Sequence, residues 1–236
     1  MSVPDFKDRL VVVTGGTGVL GAAVLGALLE AGALCQVPFR SEASLQRSPH
    51  RGNPRVTFAA LGDLADESAV DRYYASLENL WASIHVAGAY GAAPIARSDK
   101  SLLQAQLDAN LMSAYVCSRA AALALRRLGG GGRIVNVAAR QALDPRRGSG
   151  SVAYTISKAA VAALTTSLAM ELVKDGILVN AVAPSIMDTP DNRAGQPDAD
   201  YRHWSKVEEV AAAILFLASP KNTVTSGAVV PVYGGA

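Results

Sequence analysis

The chain is poor in several things at once: its 236 residues include only 2 cysteines, 3 histidines and 6% aromatics, and 18% carry charge. Cys35 and Cys117 are too few for a disulfide framework or a metal quartet, and no His/Cys cluster has zinc-ligand spacing. A reducing, cytoplasmic setting is the expectation. The charges nearly cancel, 22 Lys and Arg against 20 Asp and Glu for a net +2. Nucleic acid and anionic membrane surfaces are therefore disfavoured as partners, because their phosphates require a basic stripe. No uninterrupted apolar run reaches the ~20 residues that span a bilayer. The N-terminal stretch MSVPDFKDRLVVVTGG lacks a basic n-region and a small-residue cleavage site, so secretion is not expected.

What is abundant is apolar: 50% of the residues are hydrophobic and the mean hydropathy is +0.21. A chain of this length and composition buries one α/β core. Short β-rich runs at 10–14, 34–39, 56–60, 83–87, 134–137, 178–182 and 228–232 alternate with helical patterns, notably 20–31, 100–128, 154–174 and 206–218. Continuous apolar strands separated by helices predict a parallel sheet covered on both faces, a doubly wound Rossmann fold. No repeat or linker divides residues 1–236, and the glycine run 129–132 reads as a helix-to-strand turn. Two long irregular stretches, 140–151 and 185–204, are loops at strand ends, where such sheets carry function.

The segment TGGTGVLG, 14–21, follows the first strand and opens the first helix. Glycines there permit a tight turn and close approach of backbone N–H groups to a diphosphate at the positive end of the helix. Tyr154 and Lys158 stand four apart at a helix start, so both project into one crevice. A phenol is a poor acid at neutral pH, and an ammonium one turn away is expected to lower its pKa. Asn110 is a helix-interior residue of low propensity that needs another reason for its place.

Taken in order, TGGTGVLG, Asp63-Leu64, HVAGA at 85–89, Asn110, YTISK at 154–158 and NAVAPSIMDT at 180–189 resemble the short-chain dehydrogenase/reductase family over essentially the whole length. Gly15, Gly18 and Gly21 are similar to the extended glycine pattern of that family, with Val19 at the middle-glycine place. The resemblance implies a dinucleotide held by Gly15, Thr17, Gly18, Val19, Leu20 and Gly21, with Asp63 and Leu64 at the adenine and Ala87 and Gly88 along the adenosine. It implies Pro184, Ile186 and Thr189 on the nicotinamide side, and Asn110 holding a water that relays protons to Lys158. His85 and Val86 stand where the family has asparagines, which puts a customary strand-stabilising hydrogen bond in question; His85 is expected to be a packed strand residue. At the end of the second strand Phe39 takes the place of an NAD-type acid and Arg40 follows it, so NADP(H) is favoured, with NAD(H) an alternative that Glu42 keeps open.

The departure is at the catalytic serine, whose place is taken by Ala138-Ala139. Ser149, Ser151 and Gln141 are the nearby residues with a hydroxyl or amide to offer. Dihydropteridine reductases also keep Tyr and Lys without the serine, and 188–204 and 87–95 resemble their segments. A planar quinonoid ring accepts hydride without a carbonyl-polarising serine, and Tyr90, Ala139, Gln141, Tyr201 and Trp204 are the candidate residues around it, with 185–205 as substrate loop. The expected activity is thus NADPH-dependent reduction of a small planar acceptor, with Tyr154 as proton donor and Lys158 lowering its pKa. The alternatives are a 3-oxoacyl or other ketone reductase with a substitute for the serine, and a non-catalytic NADP(H)-binding sensor or subunit. No metal is implied. Family members pair the helices bearing Asn110 and Tyr154, and these are Ala-rich here, so a homodimer or homotetramer is expected.

Overall fold

The computed structural model describes residues 5–235; the first four residues and Ala236, part of the expected single domain, lie outside that range. Seven parallel strands form one sheet in the order β3-β2-β1-β4-β5-β6-β9. They are β1 (Leu10–Thr14), β2 (Leu34–Phe39), β3 (Val56–Ala60), β4 (Leu80–His85), β5 (Gly132–Val137), β6 (Ile177–Pro184) and β9 (Val229–Val232). The strand order reverses between β1 and β4, and ligand crevices of doubly wound sheets open at such a switch point. One face is covered by α1 (Val19–Glu30) and α9 (Val207–Ala218), the other by α3 (Glu67–Ala75), α5 (Ser113–Leu128) and α7 (Val152–Leu172).

Local chemistry sets the element boundaries. Gly129 adopts the left-handed conformation, φ 70°, that ends α5, and its N–H bonds back to Leu125 and Arg126. Asp66 caps α3 through the Ala69 N–H. The predicted helix 100–128 is interrupted: α4 (Lys100–Gln106) passes into a π-helical turn, Leu107–Met112, before α5. The stretch 140–151, expected as loop, contains the short helix α6 (Arg140–Leu143) and a 3-10 turn, Pro145–Gly148. The segment 185–204 holds β7 (Met187–Asp188) and α8 (Pro190–Gly195); β7 pairs in parallel with β8 (Ser205–Lys206), so the two ends of that segment meet. A further short helix, α2 (Glu42–Gln46), follows β2.

Two expectations need correction. Helix 152–175, including the final 3-10 turn, is long and apolar enough by composition to cross a membrane, although no uninterrupted apolar run is that long. Its Ala153, Ser157, Lys158, Val161, Thr165, Ala169 and Leu172 are buried in the protein, while Val152, Ile156 and Met170 on the same helix are exposed. His85 also bonds across to the neighbouring strand, where the resemblance left a strand-stabilising hydrogen bond open to question. Its Nδ1 lies 2.8 Å from Asn136 Oδ1 on β5 and its Nε2 2.8 Å from Ser83 Oγ, which in turn meets the Tyr74 hydroxyl. A carbonyl only accepts, so Nδ1 donates and Nε2 accepts. Complete burial pushes this imidazole down to about 4. Cys35 and Cys117 are buried free thiols, pushed up to about 12 by burial and therefore unreactive.

Candidate active site

A cavity of about 1350 Å³ runs along the C-terminal ends of β1, β2 and β4. Gly15, Thr17, Gly18, Val19, Leu20, Gly21, Arg40, Asp63, Leu64, Ala87, Gly88, Tyr90 and Thr189, dispersed in sequence, all line it. At its floor Gly15 has φ +69° and its backbone touches the loop after β4: a Cβ there would stand 2.6 Å from Ala87 N. A Cβ on Gly21 would meet Gly15 O at 2.1 Å, so α1 springs directly from the turn. Gly18 is the N-cap of α1 and has no side-chain cap, which leaves the first helical N–H groups facing the cavity. Beyond Phe39 the wall becomes cationic and hydroxylic. Arg40, Ser41, Ser44 and Arg47 all line it, with Ser41 capping α2 and Arg47 at that helix's C-terminal end. Ser41, Ser44 and Arg47 escaped the sequence reading; their signal was the cap spacing Ser41-x-x-Ser44 directly after Arg40.

Tyr154, Lys158 and Asn110 are not among the residues that line this cavity; they stand against its Gly88, Ala89 and Tyr90 wall. Lys158 is buried and donates from Nζ to Val137 O at 2.7 Å, and burial lowers it to about 8. Asn110 lies in the π-helical turn; its Nδ2 donates to Ala89 O (2.9 Å) and Ser157 Oγ (3.1 Å), and its Oδ1 accepts from Ala89 N (2.9 Å). Gly88 completes the contact, since a Cβ there would be 2.6 Å from Asn110 Oδ1 and 3.4 Å from Lys158 Nζ. The Tyr154 phenol does not show the expected downward shift. Burial and the neighbouring Tyr90 push it up to about 12, and Lys158 Nζ, 6.0 Å from the ring centroid, does not offset them. The Tyr90 and Tyr154 rings meet edge to face at 4.9 Å.

None of the candidate substitutes for the absent serine, Gln141, Ser149 or Ser151, lines the cavity. Ala138 and Ala139 are buried, Ser151 Oγ donates to Gly148 O at 3.3 Å, and Ser149 is exposed on the loop. Gln141 is half-buried on α6. Pro184 ends β6; after it Ser185 accepts from Arg140 at 3.3 Å, and the Arg140 guanidinium lies 4.7 Å from the Tyr233 ring. Ile186 is partly exposed between β6 and β7. Thr189 caps α8 through the Asn192 N–H. Tyr201 and Trp204 line a different depression, with Asp188, Arg193 and Lys206. There they pack on each other at 4.8 Å, and the Tyr201 hydroxyl is held among the carbonyls of Arg193, Gln196 and Pro197. Their aromatic faces are thus engaged within the loop and form no wall of the large cavity.

The site suits a dinucleotide: a long groove with a side-chain-free floor at a helix N-terminus, a carboxylate (Asp63) at one wall and guanidinium groups at its far end. Comparison with known proteins agrees with this geometry. A family model described as short chain dehydrogenase matches residues 9–200. The chain is 35% identical to galactitol 2-dehydrogenase of Rhizobium johnstonii, covering 95% of this chain and 93% of that protein. It is 31% identical to the 3-oxoacyl-[acyl-carrier-protein] reductase MabA of Mycobacterium tuberculosis, covering 98% and 94%. Among solved structures, a short chain dehydrogenase/reductase family protein superposes with a TM-score of 0.87 at 29% identity, covering 98% of each chain. ElxO with NADP bound superposes with the same score at 23% identity, covering 97% and 98%.

Proposed function

This chain belongs to the short-chain dehydrogenase/reductase family and is an oxidoreductase; from that premise we propose that it is an NADP(H)-dependent reductase of a small planar acceptor, with Tyr154 as proton donor. Bound nicotinamide dinucleotide supplies the hydride in this chemistry. The chain's own residues do the rest. The glycine turn and the N-terminus of α1 take the diphosphate. Asp63 and Leu64 take the adenine, and Arg40, with Ser41, Ser44 and Arg47, takes a 2′-phosphate. Lys158, anchored on Val137 O, and Asn110, anchored on Ala89, hold the floor beneath Tyr154. A phenol kept protonated up to about 12 donates one proton at neutral pH once negative charge develops on the acceptor.

The observation that carries the acceptor class is the buried Ala138-Ala139 pair with Ser151 committed to Gly148: neither place offers a free hydroxyl to polarise a ketone. A quinonoid dihydropterin, whose conjugated ring already accepts hydride, needs only the proton. A second reading, a 3-oxoacyl or other ketone reductase, is favoured by the likeness to MabA. NADPH oxidation followed with quinonoid dihydropterin, quinones and 3-oxoacyl thioesters decides between them. Turnover of the flat acceptors over thioesters is expected, and thioester reduction alone refutes the planar-acceptor reading. We also propose a homo-oligomer paired through α5 and α7, on whose outer surfaces Tyr115, Leu123, Ile156 and Met170 are exposed; sedimentation of a micromolar monomer refutes it.

A further inference from the structure

Two glycines and two amides meet beside Tyr154. Neither Gly88 nor Gly91 is among the glycines with positive φ, so their conformation alone does not require glycine. What both avoid is a collision: a Cβ on Gly88 would stand 2.6 Å from Asn110 Oδ1, and one on Gly91 2.8 Å from Gln106 Nε2 and 3.2 Å from its Cδ. Backbone is thus pressed onto an amide side chain at two points of one loop. Gln106 is only 4% exposed, one helical turn before Asn110. Its Oε1 accepts from Gly91 N at 3.1 Å and from Asn110 Nδ2 at 3.4 Å. Asn110 grips Ala89 through both its N–H and its carbonyl. Between the two anchored residues, Ala89 and Gly91, lies Tyr90, 67% exposed yet in edge-to-face contact with Tyr154.

An exposed side chain on an irregular loop loses rotamer and backbone freedom when it is held in one place. A single ring contact does not offset that loss over a loop free to move, whereas partly buried hydrogen bonds on both sides restrict the loop before the contact forms. We propose that Gln106 is a positioning residue which, by holding Gly91, sets Tyr90 against Tyr154 and so presents a fixed aromatic surface to the acceptor beside the proton donor. The inference rests on the reading of Tyr154 as donor. Its consequence is selectivity: a flat conjugated acceptor gains from a fixed ring, an aliphatic one does not.

The test combines amide hydrogen exchange with a double-mutant cycle. Gln106→Met removes the acceptor atom at nearly constant volume, Gln106→Glu keeps it, and Tyr90→Ala removes the ring from an exposed position. In Gln106→Met the Gly91 amide is expected to exchange at least roughly five-fold faster, the size of one ordinary net hydrogen bond, with dinucleotide affinity unchanged; Gln106→Glu retains protection. With a flat acceptor, Gln106→Met and Tyr90→Ala each raise KM by a comparable factor, and adding Gln106→Met to Tyr90→Ala changes KM no further. Unchanged Gly91 exchange in Gln106→Met, loss of protection in Gln106→Glu, an unaltered KM in Tyr90→Ala, or a full Gln106 effect in the Tyr90→Ala background each overturns the proposal. If the methionine variant does not fold, Gly91 exchange in Gln106→Glu and the KM of Tyr90→Ala still support or overturn it as stated. Failure of the donor reading looks different: Tyr154→Phe then retains wild-type turnover while the exchange results are unaffected.

Discussion

The two ends of the cleft are built by opposite means. At the dinucleotide end the contacts come from backbone: Gly15, Gly18 and Gly21 clear side chains away from the start of α1, and Arg40 and Arg47 stand at the open rim. At the chemical end they come from side chains spent on backbone partners, Lys158 on Val137, Asn110 on Ala89 and Gln106 on Gly91. A site made by removing side chains is open before its ligand arrives. One made by burying polar side chains carries desolvation that shifts their titration, Lys158 downward and Tyr154 upward. The first end should therefore respond to substitution in affinity, the second in rate and in pH dependence.

The sharpest way to separate the ends is Tyr154→Phe. Turnover is expected to fall by about 10²–10⁴, the usual contribution of a positioned proton donor, while dinucleotide binding, followed by fluorescence titration, stays at the wild-type value. A parallel loss of affinity would erase the distinction. Next comes Lys158. Its folded pKa, about 8, lies below the ordinary 10.5, so the folded state resists its charge. Between pH 8 and 10 the unfolded chain holds the proton that the folded chain has released, and stability rises with pH through that window. Denaturation at both pH values should show wild type gaining about 2–3 kcal/mol relative to Lys158→Met, which has no such group to titrate. His85 behaves likewise on the acid side. Held down to about 4 against an ordinary 6.5, it leaves stability intact above pH 6.5 and withdraws it as pH falls toward 4. Wild type at pH 4.5 should lose roughly 2 kcal/mol more than His85→Asn does. The smallest effect belongs to the open end: Arg40→Ala and Arg47→Ala should each weaken NADPH about ten-fold relative to NADH, one charge-assisted hydrogen bond apiece, leaving Tm in place. Equal losses for both cofactors would remove the 2′-phosphate assignment.

The same contrast explains what the sequence let one see. Apolar runs marked all seven strands of the sheet; the central β1, β4, β5 and β6 are buried on both faces, the edge strands β3 and β9 are not, and β1, β2 and β3 begin and end where the pattern does. The glycine turn was legible because its requirement is local: no side chain, directly after a strand. Tyr154 and Lys158 were singled out by their spacing only together with the glycine turn and the family resemblance, and the direction of the Tyr154 shift was not foreseen, since Tyr90 and the surrounding burial come from elements far away in sequence. Gln106 looked like any polar helix residue until the loop after β4 was seen resting on it. Arg47 lay beyond a short helix that the pattern did not single out. Tyr201 and Trp204 were aromatic in the right segment, yet the segment folds on itself and keeps them.

That segment leaves a last consequence. Because β7 and β8 pair, the chain enters and leaves 189–204 at one place, like a cord passed out and back through a single eyelet. Lengthening a loop whose ends already meet adds only a slowly growing closure entropy, and neither β6 nor α9 need shift to accommodate it. Residues 189–204 can accordingly be exchanged as a cassette from another protein, with the sheet, the glycine turn and the Tyr154 helix left untouched.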